Sequence, residues 1–131
     1  MLSNWIERLF KSEDQAHDLS TPADASAYFV LTYKELTVGH LRHEKGKWFF
    51  EYAEEFKKQD KVSTLIDFPN KDKKYEETHL WPFFSHRIPG LSQPQVQQII
   101  QKENIDANNE IDLLRRFGQK TISNPFELQL G

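Results

Sequence analysis

Five histidines, at positions 17, 40, 43, 79 and 86, are the residues of this 131-residue chain best suited to acid–base or metal chemistry. Their spacing limits what they can do. His40 and His43 are the closest pair, but three positions apart on a strand they point to opposite faces and cannot easily share a metal ion. Both read as surface histidines. His79 and His86 are seven apart, two turns if one helix carries both, yet nothing nearby supplies a third ligand at fixed spacing. His17 adjoins Asp18 in a polar segment where a rigid site is hard to build. The absence of cysteine removes disulfides, thiolate metal sites and a cysteine nucleophile together. The five glycines, at 39, 46, 90, 118 and 131, form neither a Walker loop nor a kinase glycine-rich loop. Asp67-Phe68-Pro69 and His86-Arg87-Ile88 echo kinase motifs. The first lacks the glycine, the second lacks the proton-accepting Asp, and their order is reversed. No catalytic residue, cofactor or metal is therefore expected.

What remains is aromatic. Trp81 precedes Pro82, which biases it to an extended conformation at the mouth of a helix. It lies to one side of the stripe formed by Leu80, Phe83, Phe84 and Ile88. A Trp so placed is either a lid over the local core or an exposed anchor for a partner.

Composition bounds the partners. Seventeen Lys and Arg against twenty Asp and Glu give a formal net charge of −3, which is no footprint for gripping a phosphate backbone, so no direct nucleic-acid binding is expected. The acidic balance suits contact with basic partners. No apolar run approaches the roughly 18 residues of a membrane span, and Glu7 and Arg8 interrupt the only N-terminal stretch that resembles a signal peptide. A cytoplasmic protein without membrane contact is expected. The mean hydropathy is −0.73, yet ten Phe and three Trp against one Met predict a core built on rings.

Elements must position these residues. Leu2, Trp5, Ile6, Leu9 and Phe10 fall at helical spacing, and the polar stretch from Ser12 to Ser26 reads as a linker, so residues 1–26 form a helix-and-linker extension to a domain at 27–131. Ala27–Tyr33, Leu36–His43 and Lys47–Tyr52 read as a three-strand meander with turns at Lys34-Glu35 and Glu44-Lys45-Gly46. Trp48, Phe50 and Tyr52 share one face of the third strand. Gly39 marks a bulge or a close backbone approach. A turn or two of helix is expected over Ala53–Gln59, a short strand over Val62–Phe68, and a solvated loop over Asn70–Glu77. A helix carrying Leu80, Phe83, Phe84 and Ile88 starts near Pro82 and ends at Pro89-Gly90. Ser92 and Gln95 predict a capping box for the next helix, with Val96, Ile99 and Ile100 as its buried stripe. Asn108 or Asn109 caps a further helix bearing Ile111, Leu114 and Phe117, and Phe126–Leu130 alternates and is read as a strand returning to the sheet.

The order of these pieces resembles the N-terminal subdomain of HipA-type serine/threonine kinases. The residues that carry the resemblance are Val38-Gly39-His40-Leu41, Gly46-Lys47-Trp48-Phe49-Phe50-Glu51-Tyr52, Leu80 through Pro89, and Ile111 through Gly118. HipA chains continue into a kinase core, whereas this sequence stops, so it is similar to the free-standing HipS family of three-gene HipBST toxin–antitoxin systems. Gln119–Asn124 stands where HipA carries a glycine-rich turn, and Thr64–Pro69 where it carries a serine-rich stretch. The resemblance implies an α+β fold with a small antiparallel, barrel-like sheet of about four to five strands packed with several short helices. It further implies a non-catalytic antitoxin that binds and inhibits a HipT-like serine/threonine kinase, with a HipB-like helix-turn-helix DNA-binding protein as an indirect partner. The alternative is a scaffold subunit that links such a kinase to such a repressor without inhibiting it. Under the resemblance Trp81 becomes the leading anchor, beside Pro82, with His79, His86 and Arg87 as polar contacts around it.

Overall fold

The computed structural model describes residues 24–131; the helix expected at the N-terminus and most of its linker lie outside the described residues. Three strands, β1 (Ala27–Tyr33), β2 (Leu36–Glu44) and β3 (Lys47–Tyr52), form the meander read from the sequence. Lys45 and Gly46 turn the second hairpin with φ of 52° and 79°, the pair of positive values that a two-residue type I′ connection requires. Helix α1 (Glu54–Lys57) follows at once. A three-residue strand β4 (Tyr75–Glu77), the short helices α2 (Pro82–Ser85), α3 (Pro94–Lys102) and α4 (Glu110–Phe117), and the final strand β5 (Glu127–Leu130) complete the described chain.

The five strands make one antiparallel sheet in the order β4-β3-β2-β1-β5. The α+β architecture and strand number match expectation. The sheet is open, with β4 and β5 as its edges, and does not close into a barrel-like form. Pairing of β1 with β2 shifts from Leu31↔Gly39 to Thr32↔Thr37, which leaves Val38 as the extra residue of a bulge. Gly39 sits beside it with no room for a side chain. A Cβ there would lie 2.5 Å from Phe50 Cζ and 2.8 Å from the Glu51 carbonyl oxygen.

One sheet face carries the core. Phe29, Leu31, Val38, Leu41, Trp48, Phe50, Tyr52 and Leu128 from the strands pack with Phe56, Leu65, Phe68, Leu80, Phe84, Ile111 and Leu114 from the helices and loops. Phe50 stacks on Phe68 at 4.2 Å, and Tyr52 stacks on Phe56 at 4.6 Å. Rings thus dominate the interior, as the Phe content predicts. The opposite face carries a Tyr28–His40 stack joined by a 2.7 Å hydrogen bond, and Arg42 over the Phe49 ring at 4.4 Å.

Four expectations are corrected. Val62–Phe68 is not a strand. Leu65 and Phe68 are buried, three apart, while Ile66 between them is 90% exposed, a turn spacing and not a strand alternation. The expected loop at Asn70–Glu77 instead supplies edge strand β4. The helix expected through Leu80–Ile88 is regular only over Pro82–Ser85, after which Arg87 and Ile88 donate to the carbonyls of Phe84 and Ser85, three residues back. Helix α3 begins at Pro94 with Gln93 before it, and no side chain caps it; the Ser92–Gln95 box is not formed because the helix starts one residue later, with Pro at its first position. Asn109, in contrast, caps α4 as expected, its side chain accepting from the backbone N–H groups of Ile111 and Asp112. Leu113, not Phe117, joins Ile111 and Leu114 among the buried residues of that helix.

Candidate partner interface

Helix α2 is held from three sides. Trp81 is its N-cap, with the extended φ and ψ of −66° and 149° that a residue before proline favours. An indole cannot accept a backbone N–H, so the capping oxygen comes from elsewhere. Asp67 Oδ2 accepts from the Phe83 N–H at 2.9 Å. Phe83 also packs edge-on against Phe126 at 5.8 Å. The third support is Arg87, just past the helix.

Arg87 is 4% exposed. Its guanidinium donates to the carbonyl oxygens of Gly118 at 2.6 Å, Gln119 at 3.0 Å and Phe126 at 2.6 Å, with a longer contact to Asn124 Oδ1 at 3.4 Å. Burial pulls this group below the usual arginine range, and the Glu127 carboxylate opposes the shift; arginine remains charged regardless. The fork geometry suits three carbonyls that converge from one loop. Arg87 is therefore corrected from a partner contact to an internal staple: its donors are spent inside the molecule, and little of it reaches the surface.

The remaining sequence candidates lie outward. Trp81 is half-buried, its ring set edge-on against Phe68 at 4.9 Å and 73°. Phe68 in turn stacks on Phe50, so the indole is joined to the core by one ring. Lid and anchor are thus not exclusive: one part of the indole covers Phe68 and the rest meets solvent. His79, Pro82 and His86 are exposed. His79 and His86 do not share a helix, since α2 contains neither, so the two-turn alignment is not made. His43 is corrected as well. It is buried, its Nδ1–H donates to the Ala25 carbonyl at 2.7 Å, and it meets Trp48 edge-on. His40 points to the other face of the sheet, as the strand period requires.

Three contributors escaped the sequence reading. Asp67 caps a helix fifteen residues away. Tyr52, buried in the core face, uses its hydroxyl twice, donating to the Phe68 carbonyl at 2.6 Å and accepting from the Leu65 N–H at 2.8 Å. Burial pushes this phenol up to about 12, with the Leu65 N–H opposing. Ile66 stands between those two bonded residues. Nothing local marks any of the three: helix-start preferences act on the residue just before a helix, and Asp67 lies far from α2 in sequence.

No group of three or more His, Asp or Glu side chains among the described residues is arranged to hold a metal ion. An open depression of about 510 Å³ lined by Phe56, Gln59, Val62, Pro69 and Lys71 contains none of the five sequence candidates. The geometry offers a surface, not a cleft: a half-exposed indole beside a proline, on a short helix braced by two loops. No described helix is long and apolar enough to cross a membrane. A family model described as the HipA N-terminal domain (Couple_hipA) matches residues 30–123. That span runs from within β1 into the loop stapled by Arg87. No curated relative matches the chain.

Proposed function

The chain belongs to the HipA N-terminal domain family, and from that premise we propose that it is a non-catalytic antitoxin that docks on a HipT-like serine/threonine kinase and blocks its activity. Membership makes it a HipA-related toxin–antitoxin component, built on the N-terminal domain and not on the kinase catalytic part. The observation that carries the finer reading is Trp81: a half-exposed indole next to exposed Pro82, fixed on a helix whose position is set by Asp67 and Arg87. Trp is the residue most enriched among interface anchors, and rigid placement lowers the entropic cost of using it. His79 and His86 flank it as polar rim contacts. The setting is cytoplasmic, and a HipB-like DNA-binding protein joins through the kinase complex.

Co-expression with a HipT-like serine/threonine kinase tests this reading. The unsubstituted chain rescues growth and co-purifies with the kinase; Trp81→Ala does neither while keeping its fold. The edge contact with Phe68 is lost in that variant, so a stability decrease of about 1–2 kcal/mol is expected, well short of unfolding. A chain that binds the kinase but leaves it toxic is the scaffold linking kinase to repressor, and the inhibitor reading is then wrong.

A further inference from the structure

Residues 1–23 carry an apolar pattern that the described fold does not use: Leu2, Trp5, Ile6, Leu9 and Phe10 at helical spacing. A helix of about ten residues is marginal in water by itself, so a stripe of this kind needs a surface to cover it. Its charged residues are Glu7, Arg8 and Lys11, not the Lys/Arg-rich polar face of a helix that lies on a membrane. The described chain shows where the segment joins the domain. The Ala25 carbonyl accepts from the Nδ1–H of His43 at 2.7 Å, and Ala25 and Ala27 pack against the core. His43 is buried on the core side of β2, edge-on to buried Trp48 of β3. The segment is therefore delivered to the core side of the sheet, at the end where β1 begins.

Two groups at that end remain to be satisfied. In the pairing of β1 with β5, Phe29 stands opposite Leu130 and Leu31 opposite Leu128. Phe29, Leu31 and Leu128 are buried, so the two-residue period puts Leu130 on the same core-side face, yet Leu130 is 60% exposed. Ala27, the next core-side position of β1, lies diagonally across from it, within reach of a long side chain. The second group is the indole N–H of Trp48, buried and without a hydrogen-bond partner among the described residues, where buried donors are nearly always paired. We propose that residues 1–23 fold back as a strap over this end of the core, the Leu2–Phe10 stripe covering Leu130 and the Ala25–Ala27 entry. Thirteen residues separate Phe10 from Asp24, a tether of roughly 40 Å at full extension. Such a tether holds the segment at an effective concentration of about millimolar, so a modest contact is enough to seat it. The strap is independent of the kinase reading.

Amide hydrogen exchange and NMR spectra of the full chain, taken at two protein concentrations, test it. The three Trp, at 5, 48 and 81, supply three indole N–H signals as local reporters. In the unsubstituted chain the amides of residues 6–10 exchange at least about tenfold more slowly than in an unstructured peptide. Leu130→Asp removes that protection and shifts the Trp5 signal, while Trp81 stays in place. Trp5→Asp lies outside the described domain and leaves it folded; it shifts the Leu130 methyl and Trp48 indole signals and again spares Trp81. Residues 6–10 that exchange at the unstructured rate in the unsubstituted chain overturn the strap. Protection that survives Leu130→Asp, with Leu130 methyls unmoved by Trp5→Asp, overturns its placement. Protection that grows with protein concentration assigns the stripe to a second copy of the chain, and the intramolecular strap is then wrong.

Discussion

Tyr52 and Arg87 show how a single polar group decides the shape of a loop. The Tyr52 hydroxyl satisfies one donor and one acceptor of the Leu65–Phe68 turn inside the core. Tyr52→Phe leaves both without a partner, and an expected loss of about 1–3 kcal/mol is read from urea unfolding. The same hydroxyl makes the fold alkali-sensitive. Its pKa is raised by burial from 10.0 to about 12, so the folded state favours the neutral phenol; that contribution is complete below pH 10 and is lost as pH climbs from 10 to about 12. Unfolding midpoints measured across this window fall more steeply for the unsubstituted chain than for Tyr52→Phe. Arg87→Ala strips the donors from three converging carbonyls, and a loss of about 3 kcal/mol or more is expected by the same assay. Arg87→Lys does not recover it, because a single ammonium cannot present the fork. A stable, fully binding Arg87→Ala chain would contradict the staple.

At the scale of elements, legibility follows the range of the forces involved. The β1–β3 meander is local: alternation in Lys47–Tyr52, a glycine-bearing turn and a glycine beside the bulge all act within a few residues, and each appears where the pattern puts it, except that Glu44 stays in β2 and the turn is Lys45-Gly46 alone. Helix α4 was equally plain from Asn109 and its apolar spacing. Errors gather where distant groups take over. The apolar run Val62–Phe68 has strand composition, but Tyr52 and the Gln59 side chain claim its backbone groups, so it turns instead. Tyr75–Glu77 sits in a charged stretch that looks solvated, and it pairs at the sheet edge, where exposed charges are tolerated. Of the site, the place of Trp81 and Pro82 at a helix start was legible, because the pre-proline bias is local. The burial of Arg87 was not, because its partners lie thirty or more residues away. Gly39 offers a sharp test of the bulge: Gly39→Ala forces a methyl group into Phe50 and the Glu51 carbonyl, and a destabilisation of about 1–3 kcal/mol is expected on thermal or urea unfolding.

At the scale of the whole molecule, an acidic domain with a ring-built core on one side of an open sheet presents a half-exposed Trp at the start of a short helix. With a formal net charge of −3, it is expected to bind duplex DNA negligibly at physiological salt, as fluorescence anisotropy would show. The central claim is inhibition through Trp81. Its most direct test is a titration of a purified HipT-like serine/threonine kinase, with phosphoryl transfer as the readout, against the unsubstituted chain and Trp81→Ala. The expected result is loss of kinase activity with the unsubstituted chain, and inhibition at least about thirtyfold weaker for a folded Trp81→Ala variant, the scale of an interface hot spot. A kinase that stays active when saturated with the unsubstituted chain, or that is inhibited equally by Trp81→Ala, would contradict it.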